Sequence, residues 1–312
     1  MERIIMLGTG NALVKECYNT CFIMQFDDEF FLVDAGGGNG ILKQLDLAGV
    51  DLSRIHHIYL THEHTDHILG MVWVIRMIAA AIRADRYEGD LRVYCHADLL
   101  DTLRSICMMT LPKKLTWLFD HRILFVPVYD GDSRTICDRY FTFFDIHSSK
   151  AKQYGFCVYL EDGRKLTCAG DEPLSEECLD YAAGSSYLMH EAFCLFSQQE
   201  QFKPYEKHHS TVKDACELAE YLQIPNLILY HTEDVNLKRR RDLYQAEGRL
   251  YYRGNIIVPD DLDVIELTSQ EMPEDTEDLM SRLAGLDRGL DILMGAGFDV
   301  PEDVDTDEYL DD

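Results

Sequence analysis

Short apolar runs bounded by Gly, Asp and Asn recur along most of this chain and read as strands. They lie at Arg3 to Gly8, Asn19 to Phe26, Glu29 to Val33, Ile55 to Leu60, Leu91 to Cys95, Ile123 to Val128, Tyr140 to Ile146, Gly155 to Leu160, Lys165 to Ala169, Ser185 to Met189 and Asn226 to Tyr230. Asp27-Asp28 and Glu161-Asp162-Gly163-Arg164 punctuate two of the junctions as hairpin turns. Between the runs the apolar spacing lengthens to a helical period. Gly40 to Gly49, the segment opening at Ile68, Ala97 to Met108, a stretch capped by Ser210 or Thr211 and running to Gln223, and a stretch from Lys238 to near Gly248 read as helices. Met109 to Phe119 breaks the pattern, with Pro112-Lys113-Lys114 and Trp117 set to be exposed. Strands alternating with helices in two similar halves predict an α/β fold. The alternation stops after Leu267, so residues 1–267 are expected to form one domain and 268–312 an acidic extension, partly helical or mobile.

Composition narrows the partners. The 312 residues are 46% hydrophobic, enough for a sizeable core, and carry a net charge of −27. Residues 269–312 hold −13 of this and the remainder −14, so both parts repel polyanions unless a metal or a local basic patch compensates. Lys238-Arg239-Arg240-Arg241 is the only dense basic run, readable as a solvated helix face or as a phosphate contact. The ten Cys show no close Cys-x-x-Cys pair and the opening residues read as a strand, so reduced, buried thiols in a cytoplasmic protein are expected. The longest apolar helix carries Arg76 and is expected to fall short of a membrane span.

Chemistry gathers at strand ends. Ile55 to Leu60 leads into Thr61-His62-Glu63-His64-Thr65-Asp66-His67, which sets three imidazoles and the Asp66 carboxylate within six residues. Open α/β sheets place their sites at such carboxyl ends, and neutral imidazole with carboxylate suits zinc and neighbouring transition metals. Asp34 follows one strand, His147 another, Gly170-Asp171 a third and His231 a fourth. His190-Glu191-Ala192-Phe193 and Lys207-His208-His209-Ser210-Thr211 add a further carboxylate and imidazoles.

His-x-His-x-Asp-His after a buried strand resembles the signature of the metallo-β-lactamase superfamily, and the likeness extends over residues 1 to 267. The 190–193 and 207–211 segments are similar to two motifs of its ribonuclease Z branch. The resemblance implies an αββα sandwich with the site at the edge between two mixed sheets. It implies one metal on His62, His64 and His147, a second on Asp66, His67 and His231, and Asp171 bridging them. It makes Asp34 a support of the metal-binding loop, Asp66 the residue that orients the nucleophile, Glu191 the partner of His209, and His209 the general acid. The implied cofactors are two divalent ions, zinc first, with manganese or iron as alternatives. The implied activity is ester hydrolysis of the phosphodiesterase or endoribonuclease type, as in tRNA processing. His64, where redox di-iron relatives carry a carboxylate, argues against that branch. Many bacterial ribonuclease Z proteins carry a basic arm between the third His motif and the bridging Asp. Here 23 residues separate His147 from Asp171, too few for it. A small phosphodiester, such as a cyclic or linear dinucleotide or a cyclic nucleotide, is therefore the close alternative to RNA. An aryl sulfate and a non-enzymatic metal-bound scaffold remain behind it. The residues that bind substrate are unknown at this point, and a homodimer is left open.

Overall fold

The computed structural model describes residues 1–267. Six strands open one sheet: β1 (Glu2–Gly8), β2 (Cys21–Phe26), β3 (Glu29–Val33), β4 (Ile55–Tyr59), β5 (Leu91–His96) and β6 (Ile123–Val128). Seven form the other: β7 (Ser133–Ile136), β8 (Arg139–Asp145), β9 (Tyr154–Tyr159), β10 (Lys165–Cys168), β11 (Tyr187–Glu191), β12 (Asn226–Tyr230) and β13 (Asn255–Ile257). The last strand, β14 (Val264–Glu266), returns to pair with β1, so the orders are β14-β1-β2-β3-β4-β5-β6 and β13-β12-β11-β10-β9-β8-β7. In each sheet the hairpin-connected strands pair antiparallel, while β3 to β6 and β10 to β13 run parallel.

The period of two in the strands sorts the core. Ile4 and Met6 of β1 join Phe31, Tyr59, Phe141, Phe143 and Phe156 between the sheets, whereas Ile5 and Leu7 face the helices. Both faces are covered, which is why these strands read as continuous apolar runs. Helices α1 (Gly40–Leu47), α2 (Thr65–Arg83) and α3 (Ala97–Thr110) pack on the first sheet. Helices α4 (Val212–Tyr221) and α5 (Arg240–Gly248) pack on the second, giving four layers, α, β, β, α. The fold is thus the two mixed sheets flanked by helices that the sequence suggests.

Three expectations need correction. β7 is a strand the pattern does not reveal, because Ser133-Arg134-Thr135-Ile136 is polar and sits at the sheet edge. Helix α2, at 19 residues, is long and apolar enough to cross a membrane by length and composition, contrary to expectation. Its Met71, Val74, Ile75 and Ile78 are instead buried against the first sheet. The basic run is neither a solvated face nor a phosphate contact at its centre. Arg240 is fully buried and donates to Thr232, Thr9, Pro259 and Asp260, while Arg241 pairs with Asp260 and Asp263. The extension after 267 lies outside the described residues. No disulfide joins the ten Cys; nine are buried and Cys17 is partly so.

Candidate metal centre

The parallel strands of both sheets bring their carboxyl ends together at one edge. After β4, residues 61–64 run extended into α2, whose first turn carries Asp66 and His67. Helix α2 must approach the β3 end closely, and Gly70 permits it: a Cβ there would meet the Ala35 carbonyl oxygen at 1.8 Å, and its N–H donates to Gly36. Asp34, Gly170 and His231 leave their strands with φ of +55°, +87° and +56°, turns that swing the following residues across the sheet edge.

Six of the seven proposed ligands converge. His62, His64 and Asp171 form one group, and Asp66, His67 and His231 another, each with its ligand atoms within 4.8 Å of one another. Asp171 Oδ2 stands between them, 3.3 Å from His62 Nε2, 3.3 Å from His67 Nε2 and 3.4 Å from His231 Nε2. Asp66 Oδ2 is 3.4 and 3.5 Å from the same His67 and His231 nitrogens. Asp34 lies behind this shell: it accepts from the Thr61 N–H and hydroxyl and meets His67 Nδ1 at 2.7 Å, which turns His67 Nε2 toward the carboxylates.

His147 is not brought into this cluster. Its backbone takes φ +58°, its N–H donates to Asp145, and its Nε2 sits 3.1 Å from Glu177 with the side chain 48% exposed. The neighbouring carboxylate on the short helix after residue 175 holds the ring outward. The nearest additional side chain at the His62 group is Gln153, which sequence reasoning missed. A lone Gln before a strand carries no ligand signal, and only the tertiary fold shows it buried beside His62 and Asp171.

The electrostatics ask for a cation. Burial opposes ionisation of Asp171, yet the His62 and His231 imidazoles outweigh it and hold the carboxyl well below the usual range. Burial likewise resists charge on His67, but Asp66 and Asp34 overcome it and raise its pKa well above normal. His64 is pushed down to about 4 by burial and by His62. Among the buried polar atoms without a hydrogen-bond partner are His67 Nε2 and both ring nitrogens of His231. Orphaned imidazole nitrogens aimed at buried carboxylates are the donor set of a metal site and a poor fit to a dry core.

Beside the cluster, His209 stacks on Phe193 at 4.7 Å and 12° and lies 5.3 Å, ring to ring, from His231. Its Nδ1 is 2.9 Å from the Asp171 carbonyl oxygen and 3.6 Å from Glu191 Oε2. Glu191 thus acts on His209 mainly by charge. Burial lowers the His209 pKa, the Glu191 carboxylate raises it, and the net shift is upward. The other Glu191 oxygen takes the Ser210 N–H, while Thr211 and Asp214 form the capping box of α4. His208 points away, to Ser149.

A family model described as Anti-Pycsar protein Apyc1 matches residues 2–250. The chain belongs to that family. It is also similar to the ribonuclease Z of Nanoarchaeum equitans, 23% identical over 303 residues, covering 84% of this chain and 92% of the relative. Among solved structures it resembles the metallo-β-lactamase fold protein YhfI of Bacillus subtilis, with a TM-score of 0.68, 15% identity and coverage of 84% and 98%. It also resembles the short form of human tRNase Z, with a TM-score of 0.65, 18% identity and coverage of 86% and 100%. This member of the Apyc1 family therefore has the metallo-β-lactamase fold and is similar in sequence to ribonuclease Z.

Proposed function

We propose that the chain is a dinuclear phosphodiesterase acting on small phosphodiesters, such as cyclic nucleotides or short linear ones, in the cytoplasm. The observation that carries the hydrolytic half is the pair of ligand groups sharing one oxygen of Asp171. Two divalent ions held there, zinc first, would supply Lewis acidity and a water acidified toward neutral pH. The chain's own groups supply the rest. Asp66 offers a carboxylate oxygen at the edge of the second group to orient the attacking water. His209, whose hold on a proton the nearby Glu191 carboxylate strengthens, is placed to give one to the leaving oxygen.

The small-substrate half rests on what surrounds the site. Strands β9 and β10 are joined by a tight turn closed by the Leu160 N–H to the Arg164 carbonyl, where a tRNA-gripping arm would need to emerge. Arg240 and Arg241, half of the only dense basic run, are spent on internal partners. RNA grip depends on many phosphate contacts, and each lost contact weakens binding.

The test is a parallel assay of metal-loaded protein against cyclic nucleotides, short linear dinucleotides, bis-p-nitrophenyl phosphate, an aryl sulfate and a tRNA precursor. Hydrolysis of the small diesters with tRNA cleavage weak and strongly salt-sensitive is expected. Efficient precursor cleavage at physiological salt, with small diesters untouched, overturns the reading.

A further inference from the structure

We propose that Gln153 is the positioning residue of the Asp171 carboxylate, fixing one of its oxygens so that the other faces both metal-ligand groups. The inference rests on the metal-site reading above and adds a residue to it.

Gln153 ends the loop that His147 begins. The Ile146 N–H donates to the Gln153 carbonyl at 3.0 Å, closing residues 147–152 into a loop whose last anchor is the first residue before β9. The two ends of this loop behave oppositely. His147 turns out to Glu177, whereas the Gln153 side chain is 1% exposed and enters the site.

The amide grips Asp171 twice. Gln153 Oε1 accepts the Asp171 N–H at 3.2 Å, and Gln153 Nε2 donates to Asp171 Oδ1 in a short contact. This amide orientation satisfies both Asp171 contacts. Turning it over would set an oxygen against a carboxylate and an NH2 group against an N–H. The same nitrogen lies 2.8 Å from His62 Nδ1, so one side chain touches two members of the first group. Space for the amide depends on Gly170. A Cβ there would lie 2.6 Å from Gln153 Oε1, and the φ of +87° disfavours any side chain at that position.

With Oδ1 held, the Asp171 carboxylate can rotate only by breaking the Gln153 Nε2 contact, while the bond to its own N–H keeps the amide in place. Oδ2 is left as the oxygen within 3.4 Å of His62, His67 and His231. A carboxylate held in this way presents a single oxygen to both groups. A freely rotating one would divide its two oxygens and loosen the coupling between them. Outer partners of metal ligands are worth about 10- to 100-fold in metal affinity.

The experiment strips the full-length protein with chelator and titrates zinc alone by calorimetry, with circular dichroism confirming the fold. Wild type should take up two zinc ions. Gln153→Leu should bind at least one of them about 10- to 100-fold more weakly. Its diesterase activity should return toward the wild-type kcat when zinc is raised, since the chemistry is untouched. Gln153→Glu, which keeps an acceptor for the Asp171 N–H but sets a second carboxylate against Oδ1, should fall in the same direction and covers the case in which the Leu variant does not fold. His147→Ala should leave zinc affinity within about twofold, since its ring contacts none of the cluster. Wild-type affinity in both Gln153 variants overturns the inference and leaves the metal reading standing. Wild-type protein that takes up no zinc overturns the metal reading, and this inference with it.

Discussion

Arg240 gives the sharpest test of whether the basic run serves the fold or a polyanion. The guanidinium is fully buried and donates to Thr232 Oγ1 at 2.5 Å, Thr9 Oγ1 at 3.0 Å, the Pro259 carbonyl at 2.8 Å and Asp260 at 3.1 Å. Arg240→Met keeps most of the apolar stem and removes all four bonds. The losses are unequal. Asp260 is 48% exposed and regains water, and Thr9 already donates to Asp261 at 2.8 Å. The Pro259 carbonyl is left without its donor, at a cost of about 1–3 kcal/mol, and the charge-assisted bonds to the hydroxyls add to that. Relief of guanidinium desolvation offsets part of the sum, so a net loss of about 2–4 kcal/mol is expected. At about 2–4 °C per kcal/mol for a chain of this size, the melting temperature should fall by roughly 5–15 °C. Arg240→Glu places a carboxylate in the same buried position near Asp260 and Asp261 and should abolish stable folding. Lys238→Glu and Arg239→Glu, at exposed positions, should stay within about 0.5 kcal/mol of wild type. Thermal melts followed by circular dichroism read all four. If Arg240→Glu melted at the wild-type temperature while losing RNA binding, the structural assignment of this arginine would be refuted.

The site yields three further expectations. Asp171→Ala should lower metal content at both groups, because its Oδ2 is shared between them; elemental analysis showing full occupancy would contradict the bridging role. His209→Ala should keep its metal and lose about 10²- to 10⁴-fold in turnover, the usual worth of a general acid, so a parallel fall in bound metal would make it a ligand instead. The chelator-stripped protein should show a stability optimum in pH. His67 is raised by Asp66 and Asp34 against burial, so its contribution is full below the ordinary value of 6.5 and is lost as pH rises through the elevated one. Asp171 and Asp66 are depressed by their imidazole neighbours against burial, so theirs is present above 3.8 and lost as pH falls. Melting temperatures of stripped protein should therefore decline on both sides of that window, and zinc should remove the alkaline decline. A flat alkaline limb in the stripped protein would argue against a charged His67.

Much of the fold could be read along the chain because both faces of each sheet are buried. A strand covered on two sides is apolar at nearly every position, and Cys21 to Phe26 or Asn226 to Tyr230, with one polar residue each, stand out from their surroundings for that reason. The edges were less legible. β7 lies at the end of its sheet, where one flank meets solvent and polar residues suffice. The basic run misled for a related reason. Four consecutive cations on a helix normally point to water, and nothing in Lys238 to Arg241 signals that Thr9 and Pro259, far away in sequence, close over the third of them.

Six of the seven expected ligands meet because each follows a strand end, and strand ends can be found by pattern. Strand ends fix where a Cα lies and leave open which way a short loop turns. At β8 the loop turns His147 outward to Glu177 and delivers its far end, Gln153, inward. Distance from the strand end was thus a poor guide, and backbone closure between Ile146 and Gln153 was decisive. The same reasoning explains Gly170. A Gly-Asp pair reads as a common turn, but here the missing side chain makes room for the amide that holds the aspartate. The site is therefore specified twice, once by residues that reach the candidate metal positions and once by residues that decide which of their atoms do so. Gly170→Ala should expose the second layer directly. It leaves every proposed ligand in the sequence, yet it should displace Gln153 and weaken zinc binding in the direction of Gln153→Leu. Full zinc affinity in a folded Gly170→Ala protein would show that the amide moves aside without consequence.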